Sequence, residues 1–391
     1  MEMSERLKLL KDELDAMRDP KLGYIRASLP RFDRLFGRDS LIVSWQRLER
    51  EPSIAVATLR LLASMQATED DPEHESEPGK IVHEWAPEPV PWVRWTFPYY
   101  GSVDAPPLFV IVAAWTVKRL GDAALEKELW PHVKAALAWV AKTMDEDPRG
   151  FLTYDPRAAV TLLHQGWKDS GNLGPKPPVA IVEAQGYAYS AFLHAAEWAD
   201  RHDPMLAADW RGRAAKLKHF FNDEFWLRGS RYCALAIEGD GMPYRAVASN
   251  PGHLLFTGIL DKERADAVVE RLFAPDLWTR FGIRTLSDRE PDFSAPAYHK
   301  GSIWPHDNWV ISEGLRVLGY EKERLRIKEA LLAAHDALGI IPELYAYHLG
   351  QLEQIKGAQH PQAWATCGLL NLLDSSQDPK TALPLLPTSV Q

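Results

Sequence analysis

The segment LLHQGWKDSGN, residues 162–172, places an indole, an ammonium group and a carboxyl group side by side in an otherwise proline-rich loop. The carboxyl group is that of Asp169, which follows Trp167 and Lys168. Such a carboxyl can act as a general acid or base if burial raises its pKa and the fold sets it against a substrate oxygen. The same Asp-Ser pair also fits a helix cap or a turn. The choice depends on what else gathers around Asp169.

Further carboxyl groups occupy similar positions in the segments between predicted helices. They are Asp33, Asp39, Glu84, Asp104, Asp155, Glu183, Asp307 and Glu343. A pair of carboxyl groups, one acting as acid and one as base, is the usual requirement for cleaving a glycosidic bond. The residues alone do not choose the pair. Each acid also has a structural interpretation, since Asp39, for example, fits the N-cap of the following helix.

Aromatic side chains accompany these acids, most densely in KIVHEW and WVRWTFPYYGSVDAPP, residues 80–85 and 92–107. Aromatic residues in loops often form a small satellite core. On a concave surface beside acids, they also match the apolar C–H faces of a sugar ring, whose rim of hydroxyl groups needs polar partners.

Three histidines, His83, His299 and His306, share these segments with the acids. None has the HExxH or close paired spacing of a metal motif, and the adjacent His306 and Asp307 would point in different directions on a helix. No GxSxG elbow occurs to support a serine nucleophile. We therefore expect neither a metal ion nor another cofactor.

The elements that must position these residues are helices. Apolar residues recur every three or four positions, as in Leu125, Leu129, Val133, Leu137 and Val140, and alternating strand patterns are scarce. The spacing predicts helices at 3–17, 39–50, 52–67, 104–120, 123–144, 180–201, 205–227, 250–259, 261–273, 303–318, 321–338 and 361–374.

Short and long connections alternate between these helices. Turns such as Gly121-Asp122 join two helices into antiparallel hairpins, so all the long segments emerge at one end, which favours a functional face. The long segments lie at 18–38, 68–103, 145–179, 228–249, 274–302 and 339–360. If the N-terminal helix pairs with the last one, six hairpins close into an all-α (α/α)6 barrel. We expect a single domain over residues 1–391, with a proline-rich tail from about 379 to 391 on its surface.

The overall composition restricts the class of partner. The chain has 391 residues, 46% hydrophobic and 25% charged, and a formal net charge of −9. It is typical of a globular protein without a basic surface for nucleic acid or an anionic membrane. Only Cys233 and Cys367 occur, the N-terminal helix is charged, and no apolar run is long enough to span a membrane. We therefore expect a cytoplasmic protein that acts on a small or neutral organic substrate.

Nine motifs occur in a recognisable order: FGRDS, GKIVHEW, PYYGSVDAPPLF, HQGWKDS, VEAQGY, SNPGHLLFTGI, YHKGSIWPHDN, PELY and PQAW. Over about residues 36–370, this series resembles the catalytic domain of bacterial and archaeal debranching proteins of the amylo-α-1,6-glucosidase type. It is also similar to mannosylglycerate and glucosylglycerate hydrolases and to the processing α-glucosidase group. The resemblance implies an inverting α-glycosidase with an (α/α)6 barrel, the fold that the loop pattern predicts independently.

By motif, the resemblance makes Asp169, in GWKDS, the general acid and Glu343, in PELY, the general base. It implies a first sugar subsite lined by Arg38, Asp39, His83, Glu84, Asp104, Trp167, Lys168, Glu183, Gln185, His299, Trp304 and His306. Tyr100, Lys300 and Trp364 lie in the same motifs and complete the predicted substrate-binding set. Two positions depart from the family pattern, because Lys300 stands where Asn is usual and Asn172 where an acidic residue is often found. Both bear on the choice of substrate, and Lys300 could favour an anionic group such as glycerate.

The expected activity is that of an exo-acting, inverting α-glycosidase on a small α-glucoside or an oligosaccharide. A mannosylglycerate or glucosylglycerate hydrolase is the alternative within the same class. Two further hypotheses stay open: a sugar epimerase on the same type of barrel, with histidines as acid and base, and a carbohydrate-binding protein that keeps the cleft without turnover.

Overall fold

The computed structural model describes residues 2–171, 173–374 and 385–387. Most of its α-helices lie within a few residues of the predicted positions. Over the described residues they are α1 Met3–Met17, α2 Gly37–Arg47, α3 Pro52–Ser64, α4 Ala105–Leu120, α5 Ala123–Glu146, α6 Val182–Ala199, α7 Pro204–Glu224, α8 Lys262–Leu272, α9 Pro305–Leu318, α10 Glu321–Leu338 and α11 Ala363–Leu373.

The helices form two concentric rings. In the inner ring, α2, α4, α6, a 3-10 helix at Asn250–Leu254, α9 and α11 pack side by side in a closed circle. The outer ring consists of α3, α5, α7, α8, α10 and α1, each packed mainly against one inner element, and α3, α5 and α10 also touch a second one. The inner ring closes where α11 packs against α2, and the contact between α1 and α11 supplies the sixth pair of outer and inner elements. The (α/α)6 barrel predicted from the alternating connections is thus confirmed.

Sequence pattern separates the two rings. The outer helix α5 is amphipathic, and Leu125, Leu129, Val133 and Leu137 form its buried face. Every residue of the inner helix α2 is buried. An inner helix touches neighbours on all sides, which explains why its apolar residues show a weaker periodicity.

Aromatic side chains fill the centre of the barrel. Trp45 lies 5.0 Å from Trp115, 4.7 Å from Phe256 and 4.7 Å from Trp309, measured between ring centroids. Three of these rings come from the inner helices α2, α4 and α9, and Phe256 lies just after the 3-10 helix; together they bury a large apolar area at the centre of the barrel. The barrel is therefore a packed core, and a ligand can enter only at an end.

The predicted helix at 250–259 is wrong in type and length, because only Asn250–Leu254 is helical and its turn is 3-10. Pro251 has no N–H to donate within the turn. Gly252 lies so close to α9 that a Cβ atom there would stand 2.6 Å from the Ile311 side chain. The segment at 250–259 thus packs closely against α9 through a short 3-10 turn and does not form the longer helix predicted from the sequence.

Short strands occur inside the long segments. They are β1 Leu35–Phe36, β2 Glu84–Trp85, β3 Val179–Ile181, β4 Trp226–Leu227, β5 Tyr232–Cys233, β6 Ala236–Glu238, β7 Pro243–Tyr244, β8 Trp278–Thr279, β9 Gly282–Ile283, β10 Tyr345–His348 and β11 Gln351–Gln354. The antiparallel pairs are β1 with β2, β3 with β6, β6 with β7, β4 with β5, β8 with β9, and β10 with β11. Strands of two to four residues are too short to show an alternating pattern.

The long segments lead into the N-termini of the inner elements. The positive ends of the helix dipoles therefore face the end of the barrel where these segments meet, and an acidic side chain is favoured there. Asp39, Glu183 and Asp307 lie in the first turns of α2, α6 and α9, and Asp104 precedes α4.

The predicted C-terminal tail is described only at residues 385–387. Leu385 is buried, and its carbonyl oxygen lies 2.9 Å from His194 Nε2, so at this residue the chain packs into the body and not on its surface. The rest of the tail and Asn172 lie outside the described residues. A single domain over 1–391 stays a prediction. None of the described helices has both the length and the apolar character needed to cross a membrane.

Candidate active site

A cavity of about 460 Å³ opens at the end of the barrel where the long segments meet. Its walls come from the segments that precede α2, α4, α6, α9 and α11 and from the first turns of α2 and α11, so residues distant in sequence meet there. The predicted site residues that line it are Arg38, Asp39, His83, Glu84, Trp167, Asp169, His299, Trp304, Glu343 and Trp364. The two carboxyl groups predicted to act as acid and base thus face one cavity.

Asp169 lies in the segment between α5 and β3, with its side chain 32% exposed. The nearest opposite charge is Arg38, whose Nη2 is 3.7 Å from Asp169 Oδ2. Burial raises the pKa of Asp169 to about 6, against the opposing effect of Arg38, and Asp104 raises it further. A carboxyl group with this pKa retains its proton in part of the molecules near neutral pH.

Glu343 lies between Pro342 and the strand β10, 174 positions after Asp169 in the sequence. Tyr298 Oη donates a hydrogen bond of 2.5 Å to Glu343 Oε1, and the backbone N–H of Gln359 donates one of 3.0 Å to Oε2. Burial raises the pKa of Glu343 to about 7, and these two hydrogen bonds oppose the rise. The carboxyl group is held at both oxygens and still lines the cavity.

Asp39 is a third carboxyl group in the cavity and lies in the first turn of α2. Burial raises its pKa to about 7, Arg38 opposes the rise, and Asp169 and Glu343 increase it. Each of the three carboxyl groups therefore makes ionisation of another less favourable, as expected for acids that share one desolvated space.

Aromatic rings form the wall of the cavity around these acids. Trp304 stacks on His299, with centroids 5.1 Å apart and planes at 21°, and contacts Trp167 edge to face at 5.8 Å. Trp364 lies flat on His306 at 3.7 Å. The rings come from the segments before α6 and α9 and from the first turns of α9 and α11, so the wall exists only in the folded barrel. Such a wall offers flat apolar surfaces to a ring-shaped ligand.

Several buried N–H or N groups of this wall lack a hydrogen-bond partner among the described residues. They are Trp167 Nε1, Trp364 Nε1, His83 Nδ1 and His299 Nε2. Buried polar groups are nearly always paired in folded proteins. Burial, as the first cause, keeps the pKa of His83 and of His299 well below the ordinary value, so both rings are neutral near pH 7.

Seven predicted site residues do not line the cavity: Tyr100, Asp104, Lys168, Glu183, Gln185, Lys300 and His306. Some of them hold neighbours in place. Asp104 accepts two hydrogen bonds from Arg38 Nη1, at 3.0 and 3.1 Å, which keeps Arg38 beside Asp169. Tyr100 Oη donates to the carbonyl of Met65, and the Gln185 amide bonds backbone atoms of residues 152 and 181.

The others lie behind or beside the wall. Lys168 Nζ donates a 2.7 Å hydrogen bond to the carbonyl of Thr285, and Glu183 accepts one from Asn250 at 2.9 Å. His306 is covered by Trp364 and is fully buried. Lys300 Nζ pairs with Asp292 at 3.2 Å. The ammonium group of Lys300, expected to meet an anionic substrate, is thus held by an acid outside the cavity.

Some lining residues were not among the predicted ones: Ala27, Arg31, Phe32, Arg34, Phe36, Trp92, Val93, Arg94, Trp95, Leu162, Tyr298, Gly357, Gln359 and Gln362. Tyr298 has the clearest signal in the sequence, because it directly precedes His299 in a motif already singled out. Arg34 and Trp95 both bond the Glu84 carboxylate, at 2.5 and 3.0 Å, and so fix the rim of the cavity.

The described residues of the site show no arrangement suited to a metal ion. Over the described parts of the chain, no group of three or more His, Cys, Asp or Glu side chains is placed to hold one. The three histidines of the sequence motifs are separated by aromatic rings and make contacts with those rings.

Residues 43–360 match the family described as the mannosylglycerate hydrolase MGH1-like glycoside hydrolase domain. The chain belongs to this family. The sequence motifs resemble both debranching proteins and mannosylglycerate hydrolases. The family match supports the resemblance to mannosylglycerate hydrolases and does not specifically support the debranching type.

Curated relatives give shorter matches. Mannosylglycerate hydrolase MGH1 of Selaginella moellendorffii is 32% identical over 122 residues, which are 30% of this chain and 24% of the relative. Mannosylglycerate hydrolase of Rubrobacter radiotolerans is 31% identical over 128 residues, 32% of this chain and 29% of the relative. The matched segment thus spans less than a third of the length of these relatives.

Solved structures extend the likeness to the whole barrel. The GH63 mannosylglycerate hydrolase from Thermus thermophilus, solved with Tris and D-glycerate and also with glucose, has a TM-score of 0.71. The likeness covers 94% of this chain and 99% of that one at 16% sequence identity. A rhamnosidase from Klebsiella oxytoca with bound rhamnose has a TM-score of 0.63 at 15% identity, and the likeness covers 94% of this chain and 63% of that one. At these identities the likeness establishes the fold.

Proposed function

We propose that this protein is an inverting, exo-acting α-glycoside hydrolase in which Asp169 is the general acid and Glu343 the general base. The single observation that carries the proposal is that both carboxyl groups face one aromatic-walled cavity although 174 positions separate them in the sequence. Burial raises the pKa of both groups into the range useful for proton transfer near neutral pH.

The proposed reaction needs two events on opposite faces of the sugar. Asp169 donates its proton to the oxygen that leaves the anomeric carbon, while Glu343 removes a proton from a water that attacks the same carbon. The glycosidic C–O bond breaks as the new C–O bond forms, so the sugar leaves with inverted configuration. Room for that water implies that the carboxyl groups stand about 6.5–9.5 Å apart.

The hydrogen bonds of Glu343 suit the role of base. Tyr298 Oη and Gln359 N each occupy one lone pair, one on each oxygen, and a carboxylate has further lone pairs to accept a hydrogen bond from water. Arg38 suits a role beside the acid, because its positive charge stabilises Asp169 once the proton has left.

The rim of the cavity supports a sugar linked to an anionic group as the substrate. Arg31 and Arg94 are exposed and line the cavity, whereas the acids lie deeper. A carboxylate at the mouth would meet positive charge, and a neutral sugar further in would meet the aromatic wall. Curated relatives named mannosylglycerate hydrolase agree with this substrate class. We rank mannosylglycerate and glucosylglycerate ahead of neutral α-glucosides, and branched polymers of the debranching type last.

The first test is proton NMR of the sugar released from an α-glycoside. Substrates to screen are mannosylglycerate, glucosylglycerate, isomaltose, kojibiose, trehalose and a limit dextrin. We expect the β-anomer to form first and to mutarotate later. Release of the α-anomer first would show retention and reject the assignment of acid and base.

A screen without turnover would favour the carbohydrate-binding hypothesis. Calorimetric titration with the same sugars separates that outcome from absence of any sugar site. Epimerisation is checked by chromatography of a reducing sugar incubated with the protein.

We propose that the protein is cytoplasmic, because Cys233 and Cys367 are both buried free thiols.

A further inference from the structure

A buried polar chain lies behind the aromatic wall and takes no part in lining the cavity. His253, in the 3-10 helix of the inner ring, is held between two side chains. Tyr187 Oη, on α6, lies 2.6 Å from His253 Nδ1, and Asp307 Oδ1, on α9, lies 2.8 Å from His253 Nε2. His253 and Asp307 are fully buried and Tyr187 nearly so, so the chain links three inner elements.

The two hydrogen bonds fix the orientation of the imidazole ring. A ring with its proton on Nε2 donates to Asp307 Oδ1 and accepts at Nδ1 from the Tyr187 hydroxyl, so both ring nitrogens are paired. Rotation of the ring would break both bonds in a buried environment, where unpaired polar groups are strongly unfavourable. The imidazole ring of His253 is therefore held in one fixed plane.

Trp167 rests on this plane. The two rings are nearly parallel, at 8°, with centroids 5.7 Å apart. The other aromatic neighbours of Trp167 meet it edge to face, with His306 at 4.8 Å and Trp304 at 5.8 Å. Among these rings, His253 alone lies parallel to the indole, so its plane sets the tilt of the indole.

Asp169 is two residues from Trp167, so the backbone that carries the Trp167 ring also carries the Asp169 side chain. Between them, Lys168 is tied back by its 2.7 Å hydrogen bond to the Thr285 carbonyl and lies over the Trp167 ring at 5.0 Å. Asp169 itself has a 3.7 Å ion pair with Arg38. The position of its carboxyl group thus depends strongly on the backbone that Trp167 and Lys168 anchor.

We propose that His253, clamped by Tyr187 and Asp307, is a positioning residue that sets Trp167 and thereby aims the Asp169 carboxyl group at the leaving oxygen. This inference rests on the proposed role of Asp169 as the acid. It predicts a specific kinetic signature, because a misplaced acid matters most when the leaving group needs a proton.

The test uses Tyr187→Phe, which removes one hydrogen bond, and His253→Phe, which keeps an aromatic ring and removes both. Each is assayed on a glycoside with an alkoxide leaving group and on the matching α-glycosyl fluoride, whose leaving group departs as an anion. We expect kcat to fall about 10–100-fold on the glycoside and much less on the fluoride. An equal fall on both substrates, or no fall, would overturn the proposal.

Matched controls separate positioning from stability. Tyr232→Phe removes the buried hydroxyl that donates to the Ala248 carbonyl, and His335→Phe replaces a buried histidine of the outer helix α10. Both control variants should leave the ratio of kcat on the glycoside to kcat on the fluoride unchanged. If one of these controls changes the ratio as much as Tyr187→Phe does, the effect is a general loss of packing and the proposal is wrong.

Crystal structures of Tyr187→Phe and His253→Phe provide a readout that needs no activity. We expect the Trp167 ring to tilt and the Asp169 carboxyl group to move in at least one variant. Unmoved side chains in both would overturn the inference, even if the wild type proves to be an active hydrolase. If the wild type hydrolyses no glycoside, the proposed function fails, and the crystal structures still decide whether His253 positions Trp167 and Asp169.

Discussion

The two carboxyl groups of the cavity are held in different ways. Glu343 is fixed directly, by the Tyr298 hydroxyl on one oxygen and the Gln359 backbone N–H on the other. Asp169 has a 3.7 Å ion pair with Arg38, and its segment is held by the packing of Trp167. One carboxyl group is thus oriented at its oxygens and the other through its backbone.

The difference matches what each group would do in the proposed reaction. A base that aims a water at the anomeric carbon needs a fixed orientation, since misalignment by about 1 Å can lower the rate about 100-fold. An acid must give up its proton to a departing oxygen, so permanent hydrogen bonds to its carboxyl group would compete with that transfer. Substitution of each carboxyl group and of its partners tests this contrast.

Removal of either carboxyl group gives the largest effect. Asp169→Asn should lower kcat/KM at least about 1,000-fold on a glycoside with a poor leaving group and much less on an α-glycosyl fluoride. Glu343→Gln should lower it by a similar factor on both, because the water needs a base whatever leaves. The measurement is the ratio of kcat/KM for the two substrates in each variant. Equal ratios in the two variants would mean that the assigned roles do not differ.

The pH dependence follows from the same pair. The productive form has Asp169 protonated and Glu343 ionised. Below about pH 6 most Glu343 is protonated and the base is lost, and above about pH 7 most Asp169 is ionised and the acid is lost. We expect a narrow bell-shaped profile of kcat/KM with its maximum between these values, falling about tenfold per pH unit outside them. A flat profile from pH 5 to 8 would contradict it.

Tyr298→Phe tests whether the direct hydrogen bond orients the base. A hydrogen bond to a charged group contributes about 1.5–3 kcal/mol, so kcat should fall about 10–100-fold, equally on glycoside and fluoride. The matched control is Tyr345→Phe on β10, whose hydroxyl donates to the Phe281 carbonyl. That variant should keep kcat within a small factor. A selective loss on the glycoside would instead place Tyr298 on the side of the acid.

The sequence predicts the barrel well because its evidence is local. The recurrence of apolar residues every three or four positions in α5 and the left-handed Gly121 that ends α4 both indicate a hairpin without reference to the rest of the chain. The segment at 250–259 is different, because its short 3-10 helix depends on the close approach to α9 at Gly252. Apolar spacing cannot reveal such a contact.

The site is predicted less completely. Its rim depends on the way in which the long segments between helices fold over one another, and this is not visible in the sequence. WVRWTFPYY contains Trp92, Trp95 and Tyr100, and its pattern does not say which rings face the cavity. In the structure Trp92 and Trp95 line it, whereas Tyr100 is buried and bonds Met65. Arg31 likewise reaches the cavity through its position in a segment without periodicity.

Asp39→Asn tests the effect of the crowded acids on stability. The pKa of Asp39 is raised from 3.8 to about 7 in the folded protein, so ionising it between these pH values destabilises the fold. One pKa unit corresponds to about 1.4 kcal/mol, and we expect the variant to gain roughly 2–4 kcal/mol at pH 8 and little at pH 4. Thermal unfolding at both pH values measures it. The exposed Asp155→Asn is the control, and an equal gain at both pH values would refute the prediction.

Lys300→Asn should have the smallest effect, although the family pattern suggested that this lysine selects the substrate. Its ammonium group is 3.2 Å from Asp292 Oδ2 and lies outside the cavity, whereas Arg31 and Arg94 line the mouth. We expect the ratio of kcat/KM for glucosylglycerate and a neutral α-glucoside to change less than about twofold in Lys300→Asn, and about 5–30-fold in Arg31→Ala or Arg94→Ala, as for charges that guide an ionic ligand. If the lysine variant shifted the ratio as much as the arginine variants, substrate binding would have to break the pair with Asp292 and turn the ammonium group inward.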